Sequence, residues 1–261
     1  MSGENASRPE DIAAAAADAL ANLRERQPRI HVITNTVAQP ITANILIAAG
    51  AVPSMTVSPV EVPDFAARCD ALLVNLGTLD EDRRSAIPGA LDVVGEEGTP
   101  WVLDPVFVDV SSSRMRFTRE ILKREPWVLR CNRAEATALA EAEGYSTEMA
   151  DKLALDLMTV LLVTGRKDYL TNGSRHRHLN NGNPLLGQVT GTGCAGSALT
   201  AAFLAVTHDP FVAAGAAAAL LGVAAEHANQ GAEGPGSFAW RLVDAVYSLS
   251  PADLARHARF S

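Results

Sequence analysis

Two glycines near position 190 stand directly before an alanine-rich segment, in the run VTGTGCAGSALTAAFLA at 189–205. Glycine lets the backbone approach an anion closely, and the unpaired N–H groups of a first helical turn point at that anion with the helix dipole behind them. Gly191 and Gly193 therefore predict a phosphate-binding loop. A kinase needs such a loop where charge develops on a transferring phosphoryl group. A tight strand-to-helix turn without a ligand is the alternative that this segment leaves open.

The same loop also matches a dinucleotide fingerprint, since Gly191, Gly193 and Gly196 spell GxGxxG. That fingerprint opens a βαβ unit and is followed by an acidic residue about 20 positions later. Here two helices are predicted to follow, and residues 212–220 contain no acid. The chain has no GxxxxGK[ST] either. The sequence therefore favours neither a nicotinamide enzyme nor a P-loop protein.

Two acidic residues lie at or just past the C-terminal ends of predicted strands. Asp104 stands in LDPV, and Glu135 ends RCNRAE at 130–135, where a helix is predicted to begin. Open parallel sheets bind ligands at the carboxyl ends of their strands, and Mg²⁺ prefers oxygen ligands. An Asp-Pro turn and a helix-terminal charge would explain either acid alone. Both acids in one sheet, with the glycine loop, predict a Mg²⁺–phosphate site.

Short apolar strands that alternate with helices must position these residues, and this pattern predicts a parallel sheet covered on both faces. The predicted strands are 30–35, 53–57, 71–78, 101–106, 127–132 and 159–165. The predicted helices include 9–26, 42–50 closed by Gly50, 61–69, 194–206, 211–229 and 237–248, so the C-terminal third is helical. The segment 169–179 predicts a hairpin around Asn172-Gly173. We expect one α/β domain over residues 1–261, because no linker or repeat divides the chain.

Composition narrows the function classes. The net charge of −8 leaves no basic surplus for nucleic acid. Cys69, Cys131 and Cys194 form no CxxC pair, which indicates a reducing compartment. The N-terminal residues show no secretory signal, and the apolar run 211–225 is shorter than the ~20 residues that span a bilayer. We therefore expect a soluble cytoplasmic protein without a membrane partner.

Two histidines form another candidate metal site. His176 and His178 are two apart on a predicted strand, so they share a face. No third ligand is apparent nearby in the sequence, and a solvent-facing hairpin edge is the better interpretation.

Together these motifs resemble the hydroxyethylthiazole kinase family of the ribokinase-like superfamily. The resemblance covers residues 31–249. In family order it includes HVITNTVAQPITAN, the segment 53–55, NLGT, LDPV, RxNxxE, VTGxxD, VTGTGC and EGPGSF. GTGC and EGPGS are specific, since most of the superfamily has an acid where Cys194 stands.

The resemblance implies a central, mainly parallel sheet flanked by helices and a homotrimer with sites near subunit boundaries. It implies transfer of the γ-phosphoryl group of ATP, with Mg²⁺, to the alcohol of hydroxyethylthiazole. Asp104 and Glu135 match the acids near the metal and phosphates. The residues matched to the thiazole pocket are Met55, Gly191, Asn35, Val37, Gly77 and Thr78. The residues matched to the ATP site are Arg130, Thr164, Asn132 and Gly193.

Cys194 takes the position of the superfamily's general base. The predicted helix start should lower the pKa of its thiol, and we expect the thiol to contact the substrate hydroxyl. The sequence departs from the family at Phe107, at Cys131, which replaces a glycine, and at Arg133, which adds a charge beside the nucleotide.

Other functions remain open at this point. A kinase of the same fold could act on hydroxymethylpyrimidine, pyridoxal or a sugar, because fold alone does not separate these substrates. A degenerate nucleotide-binding protein without turnover is the alternative from another class.

Overall fold

The computed structural model describes residues 9–261. Its strands are β1 (Arg29–Ile33), β2 (Val52–Ser54), β3 (Ala71–Asn75), β4 (Trp101–Asp104), β5 (Val128–Asn132), β6 (Val160–Thr164), β7 (Asp168–Thr171) and β8 (His176–Leu179). They form an eight-stranded sheet in the order β2-β1-β3-β4-β5-β6-β7-β8. The first six strands are parallel, whereas β7 and β8 pair antiparallel. The predicted mainly parallel sheet is confirmed.

Helices cover both faces of this sheet. They are α1 (Pro9–Arg26), α2 (Gln39–Ala49), α3 (Val62–Ala66), α4 (Glu81–Glu97), α5 (Ser112–Leu122), α6 (Arg133–Leu139), α7 (Thr147–Asp156), α8 (Thr192–Leu204), α9 (Pro210–Asn229), α10 (Pro235–Ser248) and α11 (Pro251–His257). Successive strand residues enter opposite cores, as the strand period of two requires. On β3, Leu73 packs with the C-terminal helices, while Leu72 and Val74 pack with α4 and α5.

Most predicted strands end earlier than expected. β4 stops at Asp104, because Pro105 has no N–H to continue the ladder. β3 stops at Asn75 rather than at 78, and β2 covers only residues 53 and 54 of the expected 53–57. The motif residues therefore lie at the ends of the strands or in the loops that follow them, along the carboxyl edge of the sheet.

The predicted hairpin is present, but its turn differs from the expected two-residue form. Four residues, 172–175, join β7 to β8, and Asn172 N–H donates to Arg175 O (3.1 Å). Gly173 has φ +86°, whereas Asn172 does not have a positive φ. The Asn172 side chain accepts the N–H groups of Ser174 and Arg175 instead, which adds to the backbone hydrogen bond that closes the turn.

The hairpin edge is less open than predicted. His176 is exposed, but His178 is half-buried against Tyr169, with ring centroids 5.0 Å apart. His178 also exchanges two backbone hydrogen bonds with Ser261 (2.8 and 2.9 Å), so the chain terminus covers β8. Within residues 9–261 no group of three His, Cys, Asp or Glu side chains could hold a metal, and the two histidines gain no third ligand.

Helix α9 is longer than the apolar run suggested, since it spans 20 residues. By length and composition it is the one helix in the described part of the chain that could cross a membrane. However, 78% of its apolar window is buried inside the protein, where it packs against α1, α8 and α10. This position is that of a core helix.

Candidate active site

Polar motif residues meet at the carboxyl ends of the central strands. Asn35 follows β1, Asn75 ends β3, Asp104 ends β4 and Arg130 lies near the end of β5. The β3–β4 register places Asn75 directly opposite Asp104. The first turn of α8 lies over the same edge, because α8 packs on β1, β3 and β4. This edge is where open parallel sheets bind ligands.

The glycine loop leaves an open helix start. Gly191 caps α8 with φ +89°, and a Cβ there would lie 2.8 Å from Ile41 Cγ2. Both the conformation and the close approach require glycine. The first paired amide is that of Ala195, which donates to Gly191 O (2.9 Å). The N–H groups of residues 192–194 have no acceptor among residues 9–261, so they can receive an anion.

Arg130 places a positive charge beside these open amides. Its Nη1 donates to Gly193 O (2.8 Å) and to Ser197 Oγ (3.2 Å). The guanidinium therefore lies against the first two turns of α8, where its charge adds to that of the helix terminus. This combination suits a phosphate group.

Asp104 is a buried carboxylate, 5% exposed. Its Oδ2 accepts hydrogen bonds from Ser197 Oγ (2.6 Å) and Asn75 Nδ2 (2.7 Å). Burial raises the pKa of Asp104, although Arg130 and these two donors lower it. Both hydrogen bonds end on Oδ2, so within residues 9–261 the other oxygen has no donor and could face a cation.

Glu135 holds the loop that follows β4. Its Oε1 accepts Phe107 N–H (2.9 Å) and its Oε2 accepts Asn132 N–H (2.8 Å). The Asn132 side chain accepts Glu135 N–H in return, which completes a capping box at the start of α6. Phe107 has φ +57° and its side chain is 61% exposed, so Glu135 contacts its backbone while the ring remains largely in solvent.

The two acids fit a divalent cation. Burial raises the pKa of Glu135, and the Asp104 charge raises it further, so the two carboxylates repel each other. Mg²⁺ is commonly held by one or two carboxylates together with substrate phosphates and water. This donor set matches that habit, because the donors to Asp104 both end on Oδ2 and leave its other oxygen for a cation.

Cys194 lies in the first turn of α8, where its half-buried Sγ accepts a hydrogen bond from Asn35 Nδ2 (3.1 Å). Burial raises the pKa of the thiol and the Asp104 charge raises it further, whereas Asn35, Asn75 and Arg130 lower it. The expectation of a lowered pKa is wrong, because burial and a nearby carboxylate raise the pKa more than the neighbouring donors and Arg130 lower it. The thiol is protonated at neutral pH.

The positions matched to the thiazole pocket do not all have free side chains. Asn35 is buried and already bonded, and Gly77 packs against it. Thr78 has φ +42° and its Oγ1 accepts Thr36 N–H (3.3 Å). Val37 is 59% exposed beside this loop, and Met55 is half-buried just past β2.

Two of the positions matched to the ATP site, Asn132 and Thr164, end neighbouring strands and are register partners. Thr164 Oγ1 donates to Cys131 O (3.3 Å), and Asn132 caps α6. The Arg133 guanidinium lies 5.0 Å from the centre of the Tyr145 ring and beside Gly165. The positive charge of Arg133 therefore lies near the ends of β5 and β6.

Two residues that the sequence did not single out connect the site. Asn75 bonds Asn35 and Asp104, and Ser197 bonds Asp104 and Arg130. Asn75 begins NLGT after an apolar strand, and Ser197 lies one turn after Gly193. For both residues, the signal in the sequence was a polar side chain in an apolar segment next to a motif, because a polar group buried there needs a hydrogen-bond partner.

Comparison with known proteins decides the family. The sequence pattern of the hydroxyethylthiazole kinase family matches residues 20–252. The chain belongs to this family. A protein of Agrobacterium fabrum named probable hydroxyethylthiazole kinase is 40% identical over 247 residues, which cover 95% of each chain.

Solved structures agree with this membership. The hydroxyethylthiazole kinase protein of Pyrococcus horikoshii superposes with a TM-score of 0.88 at 40% identity, over 94% of this chain and 98% of that one. A ribokinase-like superfamily protein of Enterococcus faecalis shares the fold alone, with a TM-score of 0.64 at 13% identity over 89% of each chain. The ribokinase-like fold predicted from the resemblance is confirmed.

The protonated state of the Cys194 thiol is testable by alkylation. The thiolate is the reactive form, so a raised pKa slows the reaction at neutral pH. We expect the rate at Cys194, followed by mass spectrometry of its peptide, to have a midpoint at higher pH than in the same peptide free in solution. A midpoint at lower pH than that of the free peptide would contradict the raised pKa and support the lowered pKa that the sequence suggested.

Proposed function

We propose that this protein phosphorylates the primary alcohol of 4-methyl-5-(2-hydroxyethyl)thiazole with ATP, in the biosynthesis or salvage of thiamine. The observation that carries the proposal is the open first turn of α8 beside Arg130 and Asp104. The names of relatives at 40% identity that span nearly the whole chain support the substrate.

The nucleotide end of the site is the edge formed by β5, β6 and α8. Arg130 would bind the phosphates, and the N–H groups at Gly193 and Cys194 would receive the transferring phosphoryl group. Thr164 and Asn132 lie on the strand ends where the remainder of the ATP molecule would bind. Positioning and fixed charge supply most of the rate in such a transfer, because the protein has little covalent chemistry to perform.

Asp104 and Glu135 are the residues that would hold Mg²⁺. When bound, the ion would neutralise phosphate charge and orient the γ-phosphoryl group. Asp104 would offer its oxygen without a protein donor, and Glu135 would keep the loop at Phe107 in place through its backbone hydrogen bond.

The alcohol end contains Cys194. Asn35 donates to Sγ, which leaves the proton of the neutral thiol free to bond the alcohol oxygen. We infer that Cys194 orients the alcohol rather than deprotonating it, since a loose transition state needs little help from a base. Gly191 and Met55 would bound the thiazole ring. Beside the loop that follows β1, the proposed lining also includes Val37, Gly77 and Thr78.

A homotrimer and a cytoplasmic location complete the proposal. β2 is an edge strand that packs against α2, and large apolar side chains are exposed on β2, on α2 and just before α2: Val52 (50%), Ile47 (60%) and Val37 (59%). Such a surface beside a site is suited to contact with another subunit. We expect light scattering to give the mass of three chains, and the mass of one chain would contradict the trimer.

ADP release in the presence of Mg²⁺–ATP and a panel of small alcohols tests the function. We expect hydroxyethylthiazole to have the highest kcat/KM, above hydroxymethylpyrimidine and pyridoxal, with almost no release when alcohol is omitted. About tenfold better turnover of hydroxymethylpyrimidine, a difference worth roughly 1.4 kcal/mol in transition-state binding, would overturn the substrate. Absence of alcohol-dependent release with every alcohol would instead indicate a nucleotide-binding protein without turnover.

A further inference from the structure

Two buried asparagine side chains join the alcohol end of the site to its phosphate end. We propose that Asn75 is a positioning residue that acts through Asn35 on Cys194 and directly on Asp104, so that the thiol and the carboxylate keep a fixed separation. The inference rests on the proposed function for the roles of those two end groups. Asn75 itself is fully buried, 0% exposed, and so does not touch a substrate.

Backbone amides fix which way each asparagine points. Gly77 N–H donates to Asn75 Oδ1 (3.1 Å), so Asn75 Nδ2 is the end that donates to Asp104 Oδ2 (2.7 Å). Ala38 N–H donates to Asn35 Oδ1 (2.8 Å), so Asn35 Nδ2 faces the other way. A flip of either amide would set two donors against each other. The chain of hydrogen bonds therefore has one direction.

Asn35 has no donor left for a substrate. One Nδ2 proton goes to Asn75 Oδ1 (3.1 Å) and the other to Cys194 Sγ (3.1 Å). An amide nitrogen carries only two protons. Asn35 is matched by resemblance to the thiazole pocket, but both of its side-chain donors are used within the protein, by Asn75 and by the thiol. It therefore acts on the substrate through Cys194.

One asparagine of the pair lies on a strand, and the other lies in the loop directly after β1. Asn75 and Asp104 are register partners on adjacent strands. A Cβ at Gly77 would lie 2.8 Å from Asn35 Nδ2 and 2.9 Å from Asn35 Cβ, so glycine allows this side chain its place. Sites built on strands and helices hold their geometry more closely than sites on loops, and a displacement of about 1 Å can cost about 100-fold in rate.

Three alanine variants separate the roles. Asn35→Ala removes the donor to Cys194 and to Asn75 Oδ1, but Gly77 N–H still orients Asn75 toward Asp104. We therefore expect kcat to fall about tenfold with an unchanged Mg²⁺ requirement. Asn75→Ala removes the donor to Asp104 as well, so we expect kcat to fall about 10- to 100-fold and the Mg²⁺ requirement to rise. Asn181→Ala is the matched control. Asn181 is buried too, but it bonds Glu226 and the backbone of residues 257 and 259 instead. We expect it to lower Tm and leave both parameters unchanged per folded molecule.

Double variants show whether the asparagines act through the thiol. In a Cys194→Ala background, Asn35→Ala should cause almost no further loss, because the group that it positions is gone. Full additivity of the two losses would contradict the proposal. So would an Asn75→Ala enzyme whose kcat and Mg²⁺ requirement match those of the Asn181→Ala control.

Alkylation of Cys194 tests the proposal without turnover. Asn35 and Asn75 both lower the pKa of the thiol, so the midpoint of the rate should move to higher pH in Asn35→Ala and in Asn75→Ala, but not in Asn181→Ala. Unchanged midpoints in both site variants would overturn the positioning role. Because this measurement needs no substrate, it decides the inference even if the alcohol panel refutes the proposed function.

Discussion

The burial of the Asp104 carboxylate is the constraint around which the site is organised. A charge taken out of water is costly unless hydrogen bonds and opposite charges replace its hydration. Asn75 and Ser197 donate to one oxygen, and Arg130 lies behind Ser197. The pKa of Asp104 remains raised despite these partners, mainly because of burial. Compensation within the protein is thus incomplete, and a cation at the other oxygen would complete it.

The rest of the fold places partners around this carboxylate. The parallel register sets Asn75 beside Asp104, and α8 brings Ser197 and the open amides over the same strand ends. Glu135, in the first turn of α6, fixes the loop after β4. The asparagine pair extends the arrangement to Cys194, so one hydrogen-bonded system runs from the phosphate side to the alcohol side. Each member lies on or next to a regular element, which limits its motion.

Sequence reasoning found the features that have local causes. Apolar strands between helices predicted the sheet, and Gly191 and Gly193 predicted the helix start at α8.

Sequence reasoning failed for the properties that depend on residues far apart in the chain. The pKa of Cys194 depends on burial and on Asp104, which lies on another element. Asn75 and Ser197 look like ordinary polar residues until the fold brings their partners together. The cover over His178 comes from the far end of the chain. Strands were predicted too long because local propensity does not show where a loop must leave the sheet.

The stability and activity of Asp104→Asn test the central claim most directly. A folded-state pKa raised above the unfolded value means that the ionised carboxylate costs stability at neutral pH, and that this cost is relieved as pH falls through the folded-state pKa. A neutral amide of the same shape should therefore raise Tm, by about 2–4 °C for each kcal/mol recovered, while kcat falls at least about 100-fold. The exposed Asp156→Asn should change neither quantity. A lower Tm for Asp104→Asn, or turnover within about tenfold of the parent enzyme, would contradict the account.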